Sequence, residues 1–213
     1  IEALNDNTEG YYNVAIGAYA LDVLTTGDRN VAVGMHSLGA ATTVNDTTAL
    51  GYSALGSLTT GYHNTGVGYQ AADEITTAVG NTACGYGALT DNVTGNYNTA
   101  VGKSALASNT TQLNTAVGYE ALKAVTTGGS NTGIGYKVGV GVTTGTYNTA
   151  LGYQALDACV THSFNVALGS GALGACTSDS NTCIGHNAGH AVSTGNDNIC
   201  IGTDTGDSIT TGN

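Results

Sequence analysis

The chain has 213 residues, of which only 9% are charged, 33 are glycine and none is proline. Soluble domains usually carry about 25% charged residues and about 7% glycine, so an ordinary globular composition is excluded, and the absence of proline excludes collagen and polyproline rods. Four basic against fifteen acidic residues give a formal charge of −11, the wrong sign for a phosphate-backbone binder, so no nucleic-acid partner is expected. No stretch approaches the ~20 apolar residues of a membrane helix, so this segment is not expected to insert in a membrane. Hydrophobic residues still make up 41%, so the core has to come from Ala, Val, Leu, Ile and Thr.

From the N-terminus onward the chain restates one motif, Asn-(Thr/Val)-Ala-(Val/Ile/Leu)-Gly. It begins at Asn13, Asn30, Thr47, Asn64, Asn81, Asn98, Asn114, Asn131, Asn148, Asn165, Asn181 and Asn198. The step is 17 residues, or 16 from Asn98 to Asn114 and from Asn165 to Asn181. With that first residue as position 1, position 2 is always β-branched and position 3 is always Ala, Gly or Cys. Position 4 is always apolar, and position 5 is Gly in all twelve motifs, as at Gly17, Gly34, Gly68, Gly102, Gly118, Gly152 and Gly202. Positions 8 and 9 are usually Ala-Leu, position 12 is mostly apolar, and positions 13 to 15 tend to Thr-Thr-Gly. Ile1 falls at position 6 and Asn213 at position 16, so the array reads as a slice of a longer repetitive protein.

A 17-residue unit rich in Gly, Asn, Thr and Val is too short and too broken for a helical repeat. Positions 1 to 5 read as a short strand, positions 7 to 9 as a second extended piece, and Thr-Thr-Gly as a return turn whose Gly supplies positive φ. One repeat is then one coil of a parallel β-solenoid, with coils about 4.8 Å apart. The expected fold is all-β, a single continuous array of about twelve coils over residues 1–213. Equivalent residues stack on one another, so like charges in a column repel, and Asn columns form amide ladders. Position 9 and the apolar groups at positions 4 and 12 are the expected interior. The small position 3 faces the other way and suggests close approach by another backbone, as in a three-chain bundle.

The Asn-Thr-Ala-Val-Gly-Tyr-x-Ala-Leu pattern, Asn114 to Leu122 and with Leu at its fourth place Asn148 to Leu156, resembles repeats of phage tail fibres and trimeric surface adhesins. Asn13-Val14-Ala15-Ile16-Gly17 is also similar to the head repeats of trimeric autotransporter adhesins. The resemblance implies a homotrimeric β-roll, a place on a virion or cell surface, and a role in host attachment through a glycan or protein receptor. The unit of 17 residues is longer than the autotransporter one. A structural filament or matrix protein without a receptor is the alternative, and a polysaccharide-degrading β-helix a remote one.

No catalytic set emerges. Asp22, Asp73-Glu74 and Asp157 fall in turn positions without a reproducible pairing, which reads as surface solvation, so the chain is not expected to be an enzyme and no cofactor is expected. The cysteines, Cys84, Cys159, Cys176, Cys183 and Cys200, lack metal-binding spacing. Cys159 and Cys176 share position 12, and Cys183 and Cys200 share position 3. Buried thiols are favoured there, with disulfides open because stacked Cα atoms lie in range. His186 and His190, and Asp197, Asp204 and Asp207, do not make a convincing metal set. Tyr recurs at position 6, as Tyr52, Tyr69, Tyr86, Tyr119, Tyr136 and Tyr153. That column reads either as a glycan contact or as a ladder of packed rings.

Overall fold

The computed structural model describes residues 2–207 and 209; Ile1 and Asn213, the basis for reading the chain as a slice, lie outside them. Two compact units divide the chain, the first ending at Ser104 and the second beginning at Ala105. Each is a parallel β-solenoid, and no helix occurs among the described residues. The first holds β1 (Val14–Ile16), β2 (Val31–Val33), β3 (Thr48–Leu50), β4 (Thr65–Val67), β5 (Thr82–Cys84) and β6 (Thr99–Val101). The second holds β7 (Thr115–Val117), β8 (Thr132–Ile134), β9 (Thr149–Leu151), β10 (Val166–Leu168), β11 (Thr182–Ile184) and β12 (Ile199–Ile201). Within each unit consecutive strands pair in parallel with equivalent residues in register, as Ala15 on Ala32 and Ala150 on Ala167.

Every strand is three residues long, positions 2 to 4, and its facing is the reverse of the expected one. Position 3 is buried: Ala32, Ala49, Ala83, Ala100, Ala116, Ala150 and Ala167 are all at most 1% exposed. Position 4 points outward, with Leu50 and Leu151 both 46% exposed. The small residues at position 3 face an interior one side chain thick, and what opposes them is leucine rather than another chain's backbone. A Cβ on Gly66 would lie 2.9 Å from Leu55 Cγ, and one on Gly133 2.7 Å from Leu122 Cγ. Position 3 therefore gives no ground for a three-chain bundle. Position 9 (Leu21, Leu38, Leu55, Leu89, Leu106, Leu122, Leu156 and Leu173) and position 12 are buried as expected.

Positions 6 to 11 are a run of turns and not a second extended piece. Positions 7 and 9 both take left-handed backbone, as at Gln154 (φ 50°), Leu156 (φ 58°), Ser104 (φ 56°) and Leu106 (φ 49°). The alternation aims successive amides at different coils: His36 N–H donates to Ala18 O at 2.9 Å, and Leu38 N–H to Ala54 O at 3.1 Å. Left-handed backbone costs a β-carbon residue roughly 1–2 kcal/mol, which full burial of a leucine, worth about 1.5–3 kcal/mol, offsets.

A third left-handed residue precedes each Asn, as at Arg29, Tyr97, Tyr147 and Phe164. The glycine of Thr-Thr-Gly, expected to supply positive φ, serves close approach instead. A Cβ on Gly61 would sit 2.2 Å from Ala78 O, and one on Gly128 2.2 Å from Gly145 O. Position 5 combines both demands: Gly118 has φ +136° and a Cβ there would lie 2.1 Å from Gly135 O.

Candidate functional surface

The asparagines at position 1 are structural, and they do more than ladder. Asn131 Nδ2 donates to Gly145 O at 2.8 Å, which ties the start of its coil to the end. Asn131 Oδ1 accepts from the Asn148 backbone N–H at 3.0 Å and from Asn148 Nδ2 at 3.1 Å. Asn114 ties to Gly128 in the same way and accepts from the Asn131 N–H. In the first unit Asn30 and Asn64 tie to Val44 and Ala78, and Asn98 N–H donates to Asn81 Oδ1. In the two 16-residue steps side chains replace the deleted backbone. Asn109 Oδ1 accepts from Asn114 Nδ2 at 3.0 Å, and Ser178 Oγ from Asn181 Nδ2 at 3.0 Å. Threonines of position 13 spend their hydroxyls on the next coil, as Thr42 on Thr59 O and Thr126 on Thr143 O.

The outward strand face is uncharged. Positions 2 and 4 hold only Thr, Val, Ile, Leu and Cys in all twelve repeats. Ile16, Leu50, Ile134, Leu151, Ile184 and Ile201 are exposed on it. Beside it run the aromatic columns. Tyr52, Tyr69 and Tyr86 stack at 5.2 Å centroid spacing; Tyr119, Tyr136 and Tyr153 stack at 5.2 and 5.5 Å. Interplanar angles of 4° to 13° mean that ring faces cover one another. Tyr69 and Tyr136, the middle rings, are therefore covered by a ring on both faces and present their edges.

The turn face carries two depressions, both floored by glycine at position 10. In the first unit Gly39 and Gly56 lie between Asp22 and Asp73, beside the stacked pair Tyr19 and His36, around about 490 Å³. In the second Gly174 lies between Asp157 and His190, around about 190 Å³. Asp73 and Asp157 thus depart from the simple solvation expected of them. Burial pushes both carboxyls above the ordinary carboxylate range, against the Gln70 hydrogen bond at Asp73 and the Lys137 charge at Asp157. Asp157 Oδ1 is buried and accepts no hydrogen bond. Gly at position 10 next to an acid one coil away is a signal readable in the sequence once the columns are aligned.

All five cysteines are free thiols, and all but the half-exposed Cys84 are buried. The hydrogen bond with Cys176 and burial push the Cys159 thiol up, and burial pushes Cys183, beside Cys200, up to about 12. Among the described residues no three His, Cys, Asp or Glu side chains gather as a metal would require. Asn92-Val93-Thr94 and Asn109-Thr110-Thr111 fit the glycosylation sequon, but Asn92 and Asn109 are buried with their amides engaged. No helix among the described residues is long and apolar enough to cross a membrane. No family model, curated protein or solved structure matches the chain.

Proposed function

We infer that this chain is a structural and attachment segment of a homotrimeric fibre, of the tail-fibre or surface-adhesin kind, acting outside the cell. The observation that supports it best is the uncharged outward face of the strands. Parallel sheets are ordinarily covered on both faces. Here position 3 packs on leucine, while Leu50, Ile134 and Leu151 stand exposed in rows without a single charge at positions 2 or 4. Contiguous exposed apolar surface of this kind marks an association site, and identical copies offer the same uncharged repeat to each other. Three copies is the number that the tail-fibre and adhesin resemblance implies.

Sedimentation equilibrium at physiological salt tests the assembly. A mass three times that of the 21.1 kDa chain is expected, and Leu50→Lys with Leu151→Lys is expected to release monomer. A wild-type monomer, or a trimer indifferent to both lysines, overturns the reading. Attachment is tested with the labelled protein on intact bacterial cells and on a glycan array; saturable binding is expected, and none on either overturns it. The stacking of Tyr rings on one another favours a second reading, a filament without a receptor, which predicts the same mass and no binding.

A further inference from the structure

We propose that the depression beside β9 and β10 is a binding site for an amino sugar, held between Tyr153, Asp157, Asn187 and His190. The inference rests on the attachment reading and names its ligand. Positions 7 and 10 supply the site from three successive coils: Gln154 and Asp157, then Gly171 and Gly174, then Asn187 and His190. The two glycines remove the middle coil's side chains. Their missing β-carbons define the fit, since one on Gly171 would lie 2.4 Å from Asn187 Oδ1 and one on Gly174 2.9 Å from His190 Cδ2. The volume of about 190 Å³ holds about six waters at ~30 Å³ each, the scale of one sugar ring.

Three features choose the ligand. Asp157 lines the depression, and an ammonium or a pair of vicinal hydroxyls there supplies its carboxylate with a donor; a charged donor makes the stronger bond. Tyr153 ends its aromatic column, because the next coil has Ser170 at position 6. The ring face on that side is free of a stacking ring and borders the depression, so it can take the apolar face of a pyranose. Finally, Gln154, Asn187 and His190 offer both donors and acceptors, the mixture that a polyhydroxyl ring requires. No Lys or Arg lines the site, which disfavours acidic sugars. The first unit repeats the device: Asp22, Gly39, Gly56 and Asp73 in the same column, with Tyr19 stacked 4.9 Å from His36. Two glycines there open a longer depression.

The test is calorimetry with the trisaccharide of β-1,4-linked glucosamine, against its N-acetylated form, trigalacturonate and spermidine. The glucosamine trisaccharide is expected to bind, with the N-acetylated and acidic trisaccharides about tenfold weaker or worse. Asp157→Asn and Gly174→Ala are each expected to weaken it about tenfold; adding Asp22→Asn and Asp73→Asn, which removes both carboxylates of the depression of the first unit, is expected to make the loss complete. Folding of Gly174→Ala is secured by Ala107 and Val140, which occupy position 10 in other coils, and circular dichroism checks both variants. Failure of the trisaccharide to bind, binding indifferent to the variants, equal binding of trigalacturonate, or spermidine binding equally sensitive to Asp157→Asn would overturn the site. If Asp157→Asn loses the trisaccharide but the wild type binds neither cells nor array glycans, attachment fails and the site stands. If the protein binds cells while the trisaccharide does not bind it, the site fails and attachment stands.

Discussion

At the scale of single residues, asparagine at position 1 closes each coil and couples it to the next. Asn131→Ala would leave the Gly145 carbonyl and the Asn148 N–H without their buried partners. Each unsatisfied buried group costs about 1–3 kcal/mol, so a loss of about 2–5 kcal/mol is expected in urea unfolding, with Asn131→Asp no better because it buries a charge. A loss below about 1 kcal/mol would deny the closing role. The ladder itself was legible, because identical Asn at a fixed period can only stack. The second half of the role, a bond back to the coil's own end, was not, since it depends on where positions 6 to 17 fold. The same limit hid the left-handed residues. Leu106, Tyr97 and Arg29 carry no sequence mark of positive φ, whereas Gly61 and Gly128, which carry that mark, are glycines because a carbonyl oxygen of the next coil stands too near for a β-carbon.

At the scale of the coil, positions 3 and 9 share the interior with buried positions 8 and 12, and the sizes at positions 3 and 9 trade. Ala with Leu is the common pair, as Ala150 with Leu156. In the last two coils Gly takes position 9 and Cys takes position 3: a Cβ on Gly189 would lie 2.3 Å from Cys183 Sγ, and one on Gly206 2.3 Å from Cys200 Sγ. The remaining departures, Gly66 with Ala72 and Gly133 with Gly139, are filled from the preceding coil. Leu55 lies 2.9 Å from a Cβ built at Gly66, and Leu122 lies 2.7 Å from one built at Gly133 or at Gly139. Gly189→Leu alone should therefore overpack and cost about 1–3 kcal/mol. Cys183→Ala added to it restores the common pair and should recover most of that loss, because Leu already occupies position 9 elsewhere with the φ that Gly189 adopts. A double-mutant cycle by chemical denaturation measures the coupling, and additive effects would refute it. This exchange was present in the sequence as paired departures from Ala and Leu. Strict alternation fixes only that positions 3 and 4 face opposite ways, and hydrophobicity favours the larger side chains of position 4 for an interior that is too thin to hold them.

At the scale of the whole molecule, the scarcity of charge follows from stacking. Two adjacent-coil pairs are of opposite sign, Arg29 with Asp46 at 2.6 Å and Glu120 with Lys137 at 3.7 Å, whereas Glu74 and Asp91, at position 11 of successive coils, are alike. The hydrogen bond from Arg29 holds Asp46 below the ordinary carboxylate range, and that from Lys123 does the same for Glu120. Asp73 and Asp157 go the other way, raised by burial. A carboxyl raised in the folded state binds its proton at higher pH than the unfolded chain does. Its contribution to stability is then full below the unfolded pKa and is lost as pH rises through the folded one. Both groups therefore oppose folding at neutral pH, which is the expected behaviour of residues kept for a ligand and not for the fold. Asp73→Asn with Asp157→Asn should melt above the wild type at pH 7, and the gap should close as the pH is lowered through the raised carboxylate pKa values toward about 4. Asp46 and Glu120 remain in both proteins and cancel from the comparison. Thermal unfolding of the pair across that range decides the matter: a gap that is constant with pH, or of opposite sign at pH 7, would mean that neither carboxylate is held against its own preference.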